Sequence, residues 1–337
     1  MTARNINILV TYPPIMFTQA QSHEILTMIE AVDPAVAVKD VAELNNREKN
    51  GDKAASRKLD ALLADTEIIY GFPPPQNVIR RAPKLEWMQT PLTGVDPFLQ
   101  PDIISSPVII TNSRGIHGTQ AGELVIMFML MLAKKAHALL NSQQRGKWQP
   151  FPPALLHSKT IGILGFGSIG RDIARLAQAF GMKVMATRTR YMENSGNTVI
   201  VLPPDRMDLL LAESDFVVVT LPLTPETRNI LGKAEFEKMK PTACLVNIAR
   251  GGVIDEEALV QALRSNVIAG AALDVFAVEP LPAESELWKM PNVIVTPHLA
   301  GQRDDYYLLA TGLFCDNLKQ YLSGKKLVNV IDKTKGY

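Results

Sequence analysis

Cysteine is nearly absent: Cys244 and Cys315 are the only two in 337 residues. Two thiols build neither a disulfide framework nor a cysteine-based zinc site, so no metal is implied and both read as reduced thiols of a cytoplasmic protein. An excess of one charge is also lacking, with 35 Lys and Arg against 34 Asp and Glu. Without a long-range field to gather polyanions, neither nucleic acid nor an anionic membrane is an expected partner. Long apolar runs are missing too. The longest, 124–133, is about half of the ~20 residues a helix needs to cross a bilayer, and Glu123 and Lys134-Lys135 flank it. It reads as a buried helix. The opening M-T-A-R-N-I-N-I-L-V enters a strand-like run with no apolar leader or small-residue cleavage site, so the cytoplasm is the expected address.

What is present is ordinary globular material, 47% apolar and 20% charged, in a chain longer than one core usually serves. Two domains are expected. Short β-branched runs alternate with helical stretches, the pattern of parallel βαβ units. In the first third the strand candidates are 6–10, 36–41, 67–70, 85–88 and 108–111, with amphipathic segments at 22–31 and 52–64. One long helix is expected over 119–142. A second series follows, with strands at 160–164, 183–187, 216–220, 243–247, 268–273 and 292–295, and a closing helix over 302–323. Six strands in that span suit a doubly wound dinucleotide-binding sheet.

Residues 160–170 read T-I-G-I-L-G-F-G-S-I-G, an apolar strand running into a glycine-rich turn and a helix. This is the dinucleotide fingerprint in the context it requires. Gly165 permits the tight turn, Gly167 lets backbone amides approach a diphosphate, and Gly170 allows the helix to pack closely on the strand. With Phe166, Ser168 and Ile169 they form the expected phosphate cradle, where the helix N-terminus supplies N–H groups and a positive dipole end. The next strand ends K-V-M-A-T-R-T-R (183–190), with no carboxylate to accept from ribose hydroxyls. Arg188 stands where that acid is expected, followed by Thr189 and Arg190. A guanidinium pairs bidentately with a 2′-phosphate, which favours NADP. NAD stays open, because losing the acid relaxes the choice without reversing it.

Three polar residues follow strands of the second series: Arg250 in N-I-A-R-G-G, Glu279 in F-A-V-E-P, and His298 in T-P-H-L-A-G. In an open α/β sheet, ligands gather outside the carboxyl ends of the strands, where all three fall. Reducing a ketone needs a proton donor at oxygen, and imidazole titrates near working pH. A carboxylate beside it favours the imidazolium, and a planar guanidinium engages carboxylate and carbonyl together.

The motifs G-F-G-S-I-G (165–170), L-P-L-T-P-E-T-R (221–228), V-N-I-A-R-G-G-V-I-D-E-E-A-L (246–259), A-L-D-V-F-A-V-E-P (272–280) and T-P-H-L-A-G (296–301), with T-G-V-D (93–96) and G-E-L (122–124), cover nearly the whole chain. In them the chain resembles the D-isomer-specific 2-hydroxyacid dehydrogenases, which include glyoxylate/hydroxypyruvate reductases and phosphoglycerate dehydrogenase. The resemblance implies an α/β fold of two doubly wound parallel-sheet domains. A Rossmann cofactor domain (113–298) is inserted into a flavodoxin-like substrate domain (1–112 and 299–337). It implies a small 2-keto or 2-hydroxy acid as substrate. A homodimer is expected because two-fold dimers are the commonest oligomer, with 124–133 as one candidate surface and an intrachain core as the other reading.

By the same resemblance, Arg250 binds the substrate carboxylate and polarises the keto oxygen. His298 is acid in reduction and base in oxidation, and Glu279 is its partner. Asp274 meets the nicotinamide carboxamide. Leu221, Pro222, Ile248, Ala249 and Gly301 fall among the cofactor contacts, and Thr119 either joins them or only caps its helix. Gly94 and Val95 offer backbone N–H groups to the substrate, and Phe72 borders it. Arg303 departs from the family, which more often has a small hydroxyl residue there, and Tyr306 and Tyr307 either line the pocket or pack. A dinucleotide-sensing protein like the superfamily's transcriptional corepressors remains an alternative, as does a phosphite or formate dehydrogenase type. Glu279 beside His298 speaks against the formate type.

Overall fold

A computed structural model describes residues 5–13, 18–95, 98–189 and 198–334. The chain divides into two compact units, one of Met1–Ile116 with Arg303–Tyr337, the other His117–Gln302. Among the described residues no helix is long and apolar enough to cross a membrane.

The first unit is a five-stranded parallel sheet of β1 (Ile6–Thr11), β2 (Val36–Asp40), β3 (Ile68–Gly71), β4 (Trp87–Gln89) and β5 (Ile109–Thr111) in the order β2-β1-β3-β4-β5. Its helices follow local chemistry. Thr18 and Gln21 form a capping box before Gln19–Glu30, and the Asp52 carboxylate accepts from Ala54 and Ala55 N–H at the start of Lys53–Leu63. Ala55, Leu59 and Leu63 repeat every four residues and are all buried. The C-terminal helix Tyr306–Leu322 returns to this unit, where the Phe314 ring stacks 4.2 Å from Tyr70 and 5.1 Å from Trp87.

The second unit is a seven-stranded parallel sheet. Its strands are β6 (Thr160–Leu164), β7 (Lys183–Thr187), β8 (Val199–Leu202), β9 (Phe216–Val219), β10 (Cys244–Asn247), β11 (Gly270–Leu273) and β12 (Val293–Val295), ordered β12-β11-β10-β9-β6-β7-β8. Its order reverses beside β6, the topological switch where dinucleotides bind in such sheets. Two expectations need correction. Strand β8 was not foreseen: it is an edge strand, and the sequence pattern offered only a four-residue apolar run ahead of Pro203-Pro204. The single helix over 119–142 is two, Gly118–Ala133 and Ala136–Gln144, divided where Lys135 turns left-handed at φ 50°. The first buries Ala121, Val125, Phe128 and Met129, whereas the second buries nothing, so the core stops enforcing one axis at Ala133.

Candidate active site

The glycine-rich turn behaves as its spacing predicts. Gly165 has φ +100°, and a Cβ on Gly170 would lie 2.4 Å from the Gly165 carbonyl oxygen, so the helix Ser168–Ala179 sits too close to the turn for any side chain. At Gly167 a Cβ would meet nothing within 4 Å. That open space lies at the N-terminus of a three-turn helix, whose N–H groups at Ser168, Ile169 and Gly170 have no intrahelical acceptor. A dinucleotide diphosphate fits this cradle. The Phe166 N–H is already given to the Thr187 carbonyl, 2.9 Å away, which ties the turn to the end of β7. Arg188 follows directly, half-buried, with Thr189 exposed; Arg190 lies outside the described residues. Leu221 is half-buried and Pro222 exposed beyond β9. Ile248 and Ala249 are buried beyond β10. Thr119 is exposed in the first turn of its helix, and the N-cap position belongs to His117. A Cβ on Gly301 would lie 3.2 Å from the His117 ring.

Neighbouring strands β10, β11 and β12 each end in a loop carrying one of the three polar residues. His298 Nδ1 lies 2.8 Å from Glu279 Oε2. A carboxylate only accepts, so Nδ1 donates, and Nε2 lies on the other side of the ring. The two side chains are 47% and 37% exposed, open enough for a reacting molecule to reach them. Glu279 is itself fixed, its second oxygen accepting from the Phe276 N–H at 3.0 Å. Arg250 is half-buried and donates from Nη1 to the Ala249 carbonyl at 2.7 Å. Its loop abuts the chain leading to Glu279, because a Cβ on Gly251 would lie 1.9 Å from the Phe276 carbonyl carbon.

Beneath these groups lie three further polar side chains, of which sequence reasoning gave a role to Asp274 and none to Asn247 and Thr296. The side chain of Asn247 closes the Arg250 loop, accepting from the Ala249 N–H at 3.0 Å and donating to the Arg250 carbonyl at 3.1 Å. Asp274, fully buried, accepts from the Thr296 hydroxyl at 2.5 Å, the Leu299 N–H at 2.7 Å and the Ala300 N–H at 2.8 Å. His298 within that loop is left-handed at φ 55°. Such a backbone costs roughly 1–3 kcal/mol, and hydrogen bonds to a charged acceptor contribute about 1.5–3 kcal/mol each, so the Asp274 carboxylate outweighs the strain. The available signal was a polar residue at the end of each apolar strand, at 247, 274 and 296.

In the other unit, Phe72 follows β3, with its ring 6.2 Å from that of Phe98. Val95 is buried in the core, while Gly94 is part-exposed. Asp96 of the T-G-V-D motif lies outside the described residues. Arg303 pairs with Asp305 in a two-pronged contact, one prong at 2.8 Å. Tyr306 is buried and donates to the Pro91 carbonyl, and Tyr307 donates to Glu24 Oε2 at 2.8 Å, so both pack.

Residues 126–300 match the family model of the D-isomer specific 2-hydroxyacid dehydrogenase, NAD binding domain. A glyoxylate/hydroxypyruvate reductase B of Pectobacterium carotovorum is 35% identical over 263 residues, covering 76% of this chain and 82% of that one. The chain belongs to the D-isomer specific 2-hydroxyacid dehydrogenase family. A solved structure of the NADPH-dependent glyoxylate/hydroxypyruvate reductase of Sinorhizobium meliloti, in complex with NADP and sulfate, aligns over 98% of this chain and all of its own. Its TM-score is 0.83 and its identity 29%. A D-isomer specific 2-hydroxyacid dehydrogenase of Xanthobacter autotrophicus, in complex with NADPH and MES, aligns over 99% of this chain with TM-score 0.83 and 28% identity. These likenesses span both units, and the two doubly wound sheets are the family's α/β architecture.

Proposed function

We propose that this chain is an NADP(H)-preferring reductase of small 2-keto acids, of the glyoxylate and hydroxypyruvate class, running in reverse as a D-2-hydroxyacid dehydrogenase. The observation that carries the reading is the His298–Glu279 pair, 2.8 Å apart and open to solvent at the end of β12. In this reading 113–298 holds the cofactor, and 1–112 with 299–337 holds the substrate. Gly165, Gly167, Ser168, Ile169 and Gly170 take the diphosphate, and Arg188 and Thr189 take the 2′-phosphate. When bound, the reduced nicotinamide supplies the hydride. His298 gives its Nε2 proton to the keto oxygen, and Glu279, accepting from Nδ1, keeps the ring oriented. Arg250 anchors the substrate carboxylate with its planar fork and polarises the carbonyl.

The preference for NADP rests on Arg188 standing where an acid would otherwise grip the ribose. Both structural relatives described above carry NADP or NADPH in their complexes. A homodimer is supported by apolar side chains left exposed between 127 and 155. Met127 is 42% exposed, Leu140 54%, Leu155 63% and Trp148 97%. The reading takes these side chains as interface residues, since a large exposed apolar patch marks an interaction site and a two-fold dimer is the commonest assembly. Its two cysteines are free thiols, as the cytoplasm would keep them. The test is a panel of 2-keto acids run with NADH and NADPH in parallel. The reading expects turnover with small keto acids and a preference for NADPH. A strong preference for NADH overturns the role given to Arg188, and cofactor binding without turnover favours a sensor.

A further inference from the structure

His298 is a β-carbon-bearing residue in left-handed backbone, with φ 55°, and neither glycine nor asparagine eases that position. Such a conformation persists only where its surroundings over-determine it. Those surroundings trace to one residue. The Asp274 carbonyl accepts the His298 N–H at 2.9 Å. Its carboxylate takes the Thr296 hydroxyl and the Leu299 N–H on one oxygen, and the Ala300 N–H on the other. So the residues on both sides of His298, and His298 itself, hang on a single buried side chain and its backbone. Asp274 is in turn anchored by its own N–H to the Asn247 carbonyl, 2.9 Å away, next to the loop that bears Arg250.

We propose that Asp274 is a positioning residue, which with Thr296 grips the T-P-H-L-A turn and sets the His298 ring against Glu279. The proposal rests on the reading of His298 as the proton donor. It differs from the role implied for Asp274 by resemblance, a contact with the nicotinamide carboxamide, and the two roles separate at Thr296. That hydroxyl touches the Asp274 carboxylate and has no cofactor role assigned to it. Removing it frees one side of the clasp while leaving the carboxylate in place. A carboxylate gripping backbone N–H groups also tolerates its amide poorly, because an amide NH2 turned toward Leu299 or Ala300 sets donor against donor.

The test compares Thr296→Val, Thr296→Ser, Asp274→Asn and His298→Ala with the wild type. It reads kcat, keto-acid KM, the NADPH dissociation constant, Tm, and the NMR resonance of the His298 Nδ1–H in its bond to Glu279. Thr296→Val is expected to lower kcat about 10- to 100-fold, as displacing a reacting group by about 1 Å does. Its NADPH affinity stays unchanged and the Nδ1–H resonance broadens or vanishes. Thr296→Ser, which keeps the hydroxyl, restores both. Asp274→Asn is expected to lose kcat at least as severely. The clasp is overturned if Thr296→Val keeps the wild-type kcat and resonance, or loses only Tm. It is overturned equally if Asp274→Asn weakens NADPH binding while kcat at saturation stays whole, since that is a cofactor contact. His298→Ala tells the two failures apart. If that variant still turns over, the proton-donor reading itself has failed; if it is inactive while Thr296→Val is normal, only the clasp has.

Discussion

In the five-stranded unit, buried polar side chains on β4 and the edge strand β5 stitch a helix to the sheet. Trp87 donates to the Thr111 hydroxyl at 2.8 Å, Thr111 donates to Gln89 at 2.9 Å, and Asn317 on the C-terminal helix donates to the same Gln89 oxygen at 2.9 Å. Asn317 then accepts the Val328 N–H at 2.8 Å, which holds the chain beyond that helix. In the seven-stranded unit the comparable residues, Asn247, Asp274 and Thr296, also stand at the carboxyl ends of strands, but there they close loops. A buried hydrogen bond rigidifies whatever it joins. Tied to a helix it joins scaffold to scaffold, and tied to a loop past a strand end it joins scaffold to the proposed site. The same physics therefore supports stability in one unit and aim in the other, and substitutions should divide accordingly.

The largest expected effect lies on the scaffold side. Phe314→Ala removes the ring stacked between Tyr70 and Trp87 and should cost about 3–5 kcal/mol, read as a fall in urea midpoint. The comparison sharpens if the fraction still folded keeps the wild-type kcat, and breaks if kcat collapses with Tm intact. Next comes Arg250→Ala, a loss of about 10²–10³ in kcat/KM with Tm nearly unchanged. A variant that instead melts early would make Arg250 a structural residue. Arg188→Ala is smaller. It should raise the KM for NADPH about tenfold, by about 1.4 kcal/mol, with NADH hardly affected.

Smaller still is an acid-stability effect at the opposite ends of the strands. Burial pushes the Asp215 carboxyl up, but the Thr160 N–H at 2.9 Å, Lys240 and Lys159 outweigh it and hold it below its ordinary value. A depressed carboxylate contributes stability above its unfolded pKa and loses that contribution as pH falls through the folded one. Asp215→Asn should therefore destabilise by about 0.2–1 kcal/mol at neutral pH, screened as partly exposed pairs are. The gap in Tm between variant and wild type should close as pH drops below about 3.9. A gap that widens in acid would reverse the sign and refute the assignment. Least of all, burial pushes the thiols of Cys244 and Cys315 up to about 11, so neither should alkylate at neutral pH without unfolding. Rapid labelling of either would contradict this.

Much of this architecture was legible because apolar periodicity is local. All eleven strands expected from β-branched runs are present, with ends shifted by a residue or two, as at 36–41 against Val36–Asp40. The fingerprint turn was equally plain, since Gly165 and Gly170 answer to steric needs within a few residues of themselves. What escaped was set at a distance. β8 owes its existence to pairing with β7, and the break at Lys135 reflects where the core ends, with no glycine or proline to announce it. The left-handed His298 has no local cause; its clasp comes from a residue 24 positions earlier, just past the end of β11. Motif spelling therefore pointed to His298, Glu279 and Arg250, while the residues that hold them, Asn247 and Thr296, sat in the same quoted stretches without a function.

The most direct test of the central claim is NADPH oxidation with glyoxylate and with hydroxypyruvate, by wild type and His298→Ala side by side, with NADPH affinity measured for both. The account predicts that the wild type turns over, and that the variant binds NADPH equally well but reacts about 10²–10⁴-fold more slowly. A variant that reduces either keto acid at the wild-type rate would contradict it.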